Sequence, residues 1–168
     1  MVSKKILTAR WIFWCLSVAI MVVVFINSAK TATQSSEISK SFADTLFEII
    51  VSDYSEMEAA EQIELVNNTQ FPVRKAAHFS VFFALGFCVS GALSTYKLTR
   101  LKLILFSQGI CTLYAISDEF HQLFVEGRAG RVYDVIIDSV GAFVGVLAVI
   151  LALYILKFVK RRMQYVRK

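Results

Sequence analysis

The sequence predicts an all-α membrane protein with four transmembrane helices, and three observations carry that prediction. Four apolar runs are each close to the ~20 residues a helix needs to cross the hydrocarbon core. Hydrophobic residues make up 57% of the 168-residue chain, more than a soluble domain of this length can hide. Basic and acidic residues are also segregated along the chain, as happens when loops alternate between two sides of a bilayer.

The first run, about residues 11–26, follows a basic start containing Lys4, Lys5 and Arg10. That pattern also describes a signal peptide, and Asn27, Ser28 and Ala29 offer small residues for cleavage. The run is long enough to span and others follow it, so it reads as an uncleaved first helix. A loop over about residues 30–71 comes next. In it Ile38, Phe42, Leu46 and Ile49 recur at helical spacing, and Met57, Ala60, Ile63 and Val66 recur near every third position. Two short amphipathic helices on the outer membrane surface or on the bundle are expected there. The plainer alternative is a partly disordered connector. Ser55 and Glu58 have capping-box spacing. Pro72 is expected to close the loop and open the second spanning helix, about residues 73–92. The third and fourth helices are expected at about residues 101–126 and 134–156. The backbone must satisfy its own hydrogen bonds in lipid, and no period-two pattern argues for a barrel. The chain is read as one domain, 1–168.

Orientation follows from the charges. Twelve of the 18 basic residues fall on one side: Lys4, Lys5, Arg10, Lys97, Arg100, Lys102, Lys157, Lys160, Arg161, Arg162, Arg167 and Lys168. The positive-inside rule makes that side cytoplasmic. All 13 acids lie in the other loops or at their edges. A multi-pass protein of the bacterial cytoplasmic membrane with both termini in the cytoplasm is therefore expected. The net charge of +5 does not indicate nucleic acid, because the basic residues flank apolar runs and form no nucleic-acid-binding signature. Cys15, Cys88 and Cys111 lie within apolar runs and read as buried hydrophobes.

Most of the unusual chemistry lies between the third and fourth helices. Asp118, Glu119, His121 and Gln122 precede a turn with Gly127, Arg128, Gly130 and Arg131, and Asp134 and Asp138 follow. Lys75 and His78 stand at the outer start of the second helix, so three helix ends bring polar groups to one depth. Asp134, Asp138, Gly141, Gly145, Ala148 and Ala152 form one stripe on the fourth helix. Gly141 and Gly145 have the GxxxG spacing that lets a neighbouring helix approach closely. Gln108, Cys111, Ala115, Asp118 and Gln122 form a similar stripe on the third. Two stripes, small below and charged above, describe a pocket open to the outside. Gly127 reads as a helix C-cap. Lys75, Arg128 and Arg131 are the expected anion-binding cations, since arginine forks suit phosphate and carboxylate. Gln122, Asp134 and Asp138 are expected to line the pocket and orient its groups. His78 and His121, with Asp118 and Glu119, are the candidate catalytic groups, because only histidine titrates near neutrality without perturbation. The plainer reading pairs the acids with Lys75, Arg128 and Arg131 as locks between helices. No HExxH or tight ligand spacing is present, so no metal site is expected, and the sequence names no cofactor.

At these residues the chain resembles the VanZ-like family of small bacterial membrane proteins. The resemblance rests on Arg74-Lys75-x-x-His78-Phe79, Asp118-Glu119-Phe120-His121-Gln122, Gly127-Arg128, and Asp134-x-x-x-Asp138-x-x-Gly141-x-x-x-Gly145. The family usually has Pro-Gly-Arg where this chain has Glu126-Gly127-Arg128. The resemblance implies a role at the cell envelope, and the founding member is associated with low-level resistance to the glycopeptide teicoplanin. It supplies no settled reaction. The expected function is an outward-facing polar pocket that binds or modifies an anionic membrane-linked envelope component. Its expected partners are a membrane lipid, a lipid-linked cell-wall precursor or a lipoglycopeptide, and no nucleic acid. The alternatives are a membrane enzyme for hydrolysis or group transfer on a lipid-linked substrate, and a structural or regulatory membrane subunit. A transporter ranks lower, because the inner halves of the helices lack charges along a path. A cysteine introduced near Gly130 should react with a membrane-impermeant thiol reagent from outside intact cells. Reaction only after permeabilisation would reverse the orientation.

Overall fold

A computed structural model of the chain describes residues 3–166. Among them are five α-helices and no strand: α1 (Lys4–Ser28), α2 (Ala32–Ile50), α3 (Ala59–Ser94), α4 (Arg100–Gln122) and α5 (Val132–Val166), with one 3-10 turn at Tyr54–Glu56. The protein is all-helical, as the sequence predicts. α1, α3 and α5 are long and apolar enough to cross a membrane. α4 has 23 residues, about 34 Å at 1.5 Å per residue. Polar residues such as Gln108, Thr112 and Asp118 lower its apolar character, but it packs beside α3 and α5. It is compatible with a fourth span.

Three local expectations need correction. Pro72 does not open a helix; it lies inside α3, which runs unbroken from Ala59 to Ser94. The ring removes one N–H and leaves the Asn68 carbonyl without its helical donor, at a cost of about 3 kcal/mol in a helix interior. Packing on both sides of it holds the two halves in line. Val66 packs with Ala43 and Tyr54 before the proline, and Arg74 donates to Ser36 and Ser39 of α2 after it. The second short amphipathic helix is therefore the beginning of α3. Ser55 and Glu58 do not form a capping box, because Ser55 sits in the 3-10 turn and Glu58 caps α3 without a side-chain bond. The capping box belongs to α2, where Thr31 and Gln34 bond each other's backbone N–H reciprocally. Finally, α4 ends at Gln122, four residues before the expected end, as Leu123, Phe124 and Val125 make tight bonds three residues back. Gly127 is thus not the helix C-cap. It is still the residue that needs a left-handed backbone, with φ +69°.

α2 is amphipathic, but the stripe of Ile38, Phe42 and Ile49 stays exposed. Contact with α3 comes from the small neighbouring face, Ser39 and Ala43. Small residues let α2 come close enough for its serine hydroxyls to take the Arg74 donors.

The most extensive packing joins α3 to α5. A Cβ added at Gly141 would meet the Phe79 carbonyl oxygen at 2.5 Å. At Gly145 it would run into the Phe83 carbonyl, and at Gly86 into the Ala142 carbonyl. So α3 is the helix that the Gly141–Gly145 stripe receives. α4 meets α5 through polar groups instead: Gln108 donates to the Ser139 carbonyl at 3.0 Å, and Thr112 reaches the Ser139 hydroxyl at 3.2 Å. The stripe loses contact toward its C-terminal end, where Ala152 and the residues after it through Tyr165 are exposed.

The two ends of the bundle differ in charge. At one end Arg10 of α1 donates to Thr95 after α3 and lies over the Tyr96 ring, 3.9 Å from its centroid. At the other end α1 reaches the acids of α4. In detergent, Gly145→Ala should lower the apparent melting temperature, since overpacking against backbone costs about 1–3 kcal/mol. Gly109→Ala should not lower it, because an added Cβ there meets nothing within 4 Å. Equal effects at both sites would remove the close approach of α3 and α5 as the cause.

Candidate functional site

Three carboxylates meet inside the bundle. Asp118 and Glu119 come from the last turns of α4 and Asp138 from the second turn of α5, with exposures of 3%, 5% and 0%. Each offers an oxygen within 4.8 Å of the other two. Gln122, one turn on from Asp118, donates to Asp118 Oδ2 at 3.0 Å and Glu119 Oε1 at 3.2 Å. Ser28 at the end of α1 donates to Asp118 Oδ2 at 2.9 Å. The Arg131 backbone N–H holds Glu119 Oε2 at 2.8 Å. Other oxygens have no partner: Asp118 Oδ1 and both oxygens of Asp138 are buried without a hydrogen bond.

The bases are distributed around this trio rather than in it. His78 Nδ1 lies 3.7 Å from Asp138 Oδ1, too far for a hydrogen bond. Lys75 is ion-paired with Asp134 one turn before Asp138. Arg128 donates to the Lys30 carbonyl at 3.1 Å and the Asn27 carbonyl at 3.3 Å, tying the turn after α4 to the end of α1. Its Nη1 reaches Gln122 Oε1 at 3.3 Å, so it touches the acids only through that amide. The Ala32 N–H donates to the Glu126 carbonyl at 3.2 Å, so the turn after α4 pins the start of α2 with its backbone.

On the other side of Ser28 and His78 lies a cleft of about 300 Å³ between α1, α2 and α3. Its walls are apolar, including Val24, Ile38, Phe42 and Val81, and its cations are Lys30, Arg74 and Arg128. Among the described residues neither arginine makes an ion pair. Burial, with Arg74 beside it, pushes the Arg128 guanidinium below its ordinary value, yet an arginine remains charged. Two guanidiniums on one apolar cleft form a site that an anion would stabilise.

Asp118, Glu119, Gln122 and Asp138 thus come together, with His78 beside them. His121 does not join them; its ring stacks on Phe25 with centroids 4.6 Å apart, and its buried Nδ1 has no partner. Of the expected anion-binding residues, Arg128 lines the cleft. Lys75 is held by Asp134, and Arg131 enters the site through its backbone N–H. Sequence reasoning missed Arg74, Lys30 and Ser28 as site residues. Arg74 stood in the family motif, next to Lys75. Nothing local marked Ser28, because its role depends on where α1 ends.

Fold and site together define a membrane-type helical protein with a buried carboxylate cluster beside a cationic, apolar-walled cleft. The chain belongs to the VanZ/LLP1 family, whose model matches residues 13–156 and so takes in every site residue named above. Among curated proteins and among solved structures, none matches the chain.

Gln122→Leu should remove the donor shared by Asp118 and Glu119 and leave Arg128 Nη1 without its acceptor. The apparent stability in detergent should fall by about 1–3 kcal/mol or more, the cost of stranding buried polar groups. A melting temperature equal to that of the wild type would show that Gln122 does not hold the cluster.

Proposed function

We propose that this protein is a VanZ-like envelope protein of the bacterial cytoplasmic membrane that binds an anionic amphiphile at the outer face. The group it holds is the phosphate of a membrane lipid or lipid-linked cell-wall precursor. One observation carries the reading: Arg74 and Arg128 line the same apolar-walled cleft, and among the described residues neither is ion-paired. A phosphate between two guanidiniums receives forked, charge-assisted bonds, while Ile38, Phe42 and Val81 would lie along the chain. The cleft's 300 Å³ is at the small end of ligand sites, which suits a headgroup with a few methylenes better than a whole glycopeptide. Family membership supports the envelope setting. Segregation of the acids from the basic loops supports a multi-pass chain with both termini in the cytoplasm and the cleft outside. A contribution to teicoplanin resistance would then act through the bound envelope lipid.

A second reading rests on His78. It lines the cleft, and Asp138 lies 3.7 Å behind its Nδ1, an arrangement of base and orienting carboxylate. On that reading the same lipid-linked molecule is a substrate for hydrolysis or group transfer.

Polyprenyl phosphate titrated into the full chain in phosphatidylcholine nanodiscs tests both. Arg74→Gln should weaken binding about 10–100-fold, the equivalent of a hydrogen bond to a charged group. Added salt should weaken it further. His78→Gln should leave binding intact on the first reading, and should abolish product on the second. Equal binding of the uncharged polyprenol, or no effect of Arg74→Gln, would overturn phosphate recognition.

A further inference from the structure

The carboxylate trio sets a problem that the cleft does not answer. Asp118, Glu119 and Asp138 are all buried, and no lysine or arginine among the described residues pairs with them. Lys75 is committed to Asp134, and Arg128 stops at Gln122. Buried charges are ordinarily paired or bound to a metal, because removing an isolated carboxylate from water is very costly. The strongest sign is Asp138. It is fully buried, its two oxygens have no hydrogen-bond partner, and it points at the other two carboxylates. Asp118 Oδ1 is equally unpartnered. Meanwhile Ser28, Gln122 and the Arg131 N–H fix Asp118 Oδ2 and Glu119, as partners outside a metal's own ligands do.

We infer that Asp118, Glu119 and Asp138 form a binding site for a hard divalent cation, of the Mg²⁺, Ca²⁺ or Mn²⁺ class. All three donors are carboxylate oxygens, which these ions prefer. Ligands on opposite sides of Ca²⁺ lie about 4.6–5.2 Å apart, and across Mg²⁺ about 4.0–4.2 Å. The trio's oxygens all lie within 4.8 Å of one another, so no pair is farther apart than Ca²⁺ spans, and a small inward shift of the side chains would bring all three to the ion. His78 Nδ1 stands 3.7 Å from Asp138, placed to bond a water on the ion or to complete the shell. The donors come from two different helices, α4 and α5, so the ion would bind them together at the end where polar groups collect. The spacing of these residues in sequence carries no metal motif, since Asp138 is contributed from twenty residues beyond Asp118 by a separate helix.

The test uses Mn²⁺ as the probe, with the full chain purified in detergent and stripped by chelator. Binding is read from the loss of the free-ion electron paramagnetic resonance signal. The wild type should bind one Mn²⁺ per chain, displaceable by Mg²⁺ or Ca²⁺, and its melting temperature should rise on binding. Asp138→Asn and Asp118→Asn should weaken binding by more than about 100-fold, beyond the loss typical of a partner outside the ligand set. Glu126→Gln, an acid in the exposed turn, should bind as the wild type does. Glu119→Gln gives the same reading if an aspartate variant does not fold. A folded wild type that takes up none of the three ions overturns the site, and so does undiminished binding by the Asp118 and Asp138 variants. Arg74→Gln should leave Mn²⁺ binding unchanged, so failure of the lipid reading and failure of the cation site are separable.

Discussion

The backbone contact between α3 and α5 sets the position of everything polar in this protein. Gly86, Gly141 and Gly145 leave no room for a side chain between the two helices. In a bilayer, lipid tails are as apolar as leucine, so helices associate through close packing and buried polar bonds rather than through the hydrophobic effect. This contact supplies the packing and also fixes a register. Gly141 rests on the carbonyl of Phe79, the residue after His78, and Asp138 lies one turn before Gly141. Seating one pair therefore delivers the other, and Asp138 arrives behind His78. The bonds of α4 to Ser139 then bring Asp118 and Glu119 to the same place.

Two compartments of opposite sign result, with a thin partition between them. Ser28, His78 and Arg128 face the cleft. Ser28 also bonds Asp118, His78 approaches Asp138, and Arg128 reaches the acids through Gln122. Charge on one side is felt on the other across a single layer of side chains, where the effective dielectric is far below that of water. An anion in the cleft and positive charge among the carboxylates would each make the other's position more favourable.

The architecture was legible where a rule of spacing governs it. Apolar length marked the long helices, the Gly141–Gly145 pair marked a close helix contact, and charge segregation marked two ends. Of the stripe Gln108, Cys111, Ala115, Asp118 and Gln122, the last four are buried and Gln108 is half-buried. What could not be read depends on contacts between distant segments. Pro72 looked like a boundary because its local chemistry favours one; packing on both sides of it overrides that preference. The Thr31–Gln34 capping box has the right spacing, but the polar residues that follow it, Thr33 to Glu37, do not mark a helix start. Arg74 became a site residue because α2 folds back to make the opposite wall of the cleft. His121 shows the reverse: its motif pointed to chemistry, and a ring contact with Phe25 turned it away from the carboxylates.

α5 is longer than the bilayer is thick. Its 35 residues extend about 52 Å, against a hydrocarbon core of about 30 Å. Lys157 lies nineteen residues beyond Asp138 and is the first of a basic series continuing through Lys160, Arg161 and Arg162. At 1.5 Å per residue that interval is about 29 Å. The helix is a ruler marked at both ends. Were its lysines and arginines anchored among the headgroups of one leaflet, the other mark would fall where hydrocarbon gives way to phosphate in the opposite leaflet. Lengthening or shortening α5 between the marks would shift the height of the cleft in the membrane without altering one of its residues.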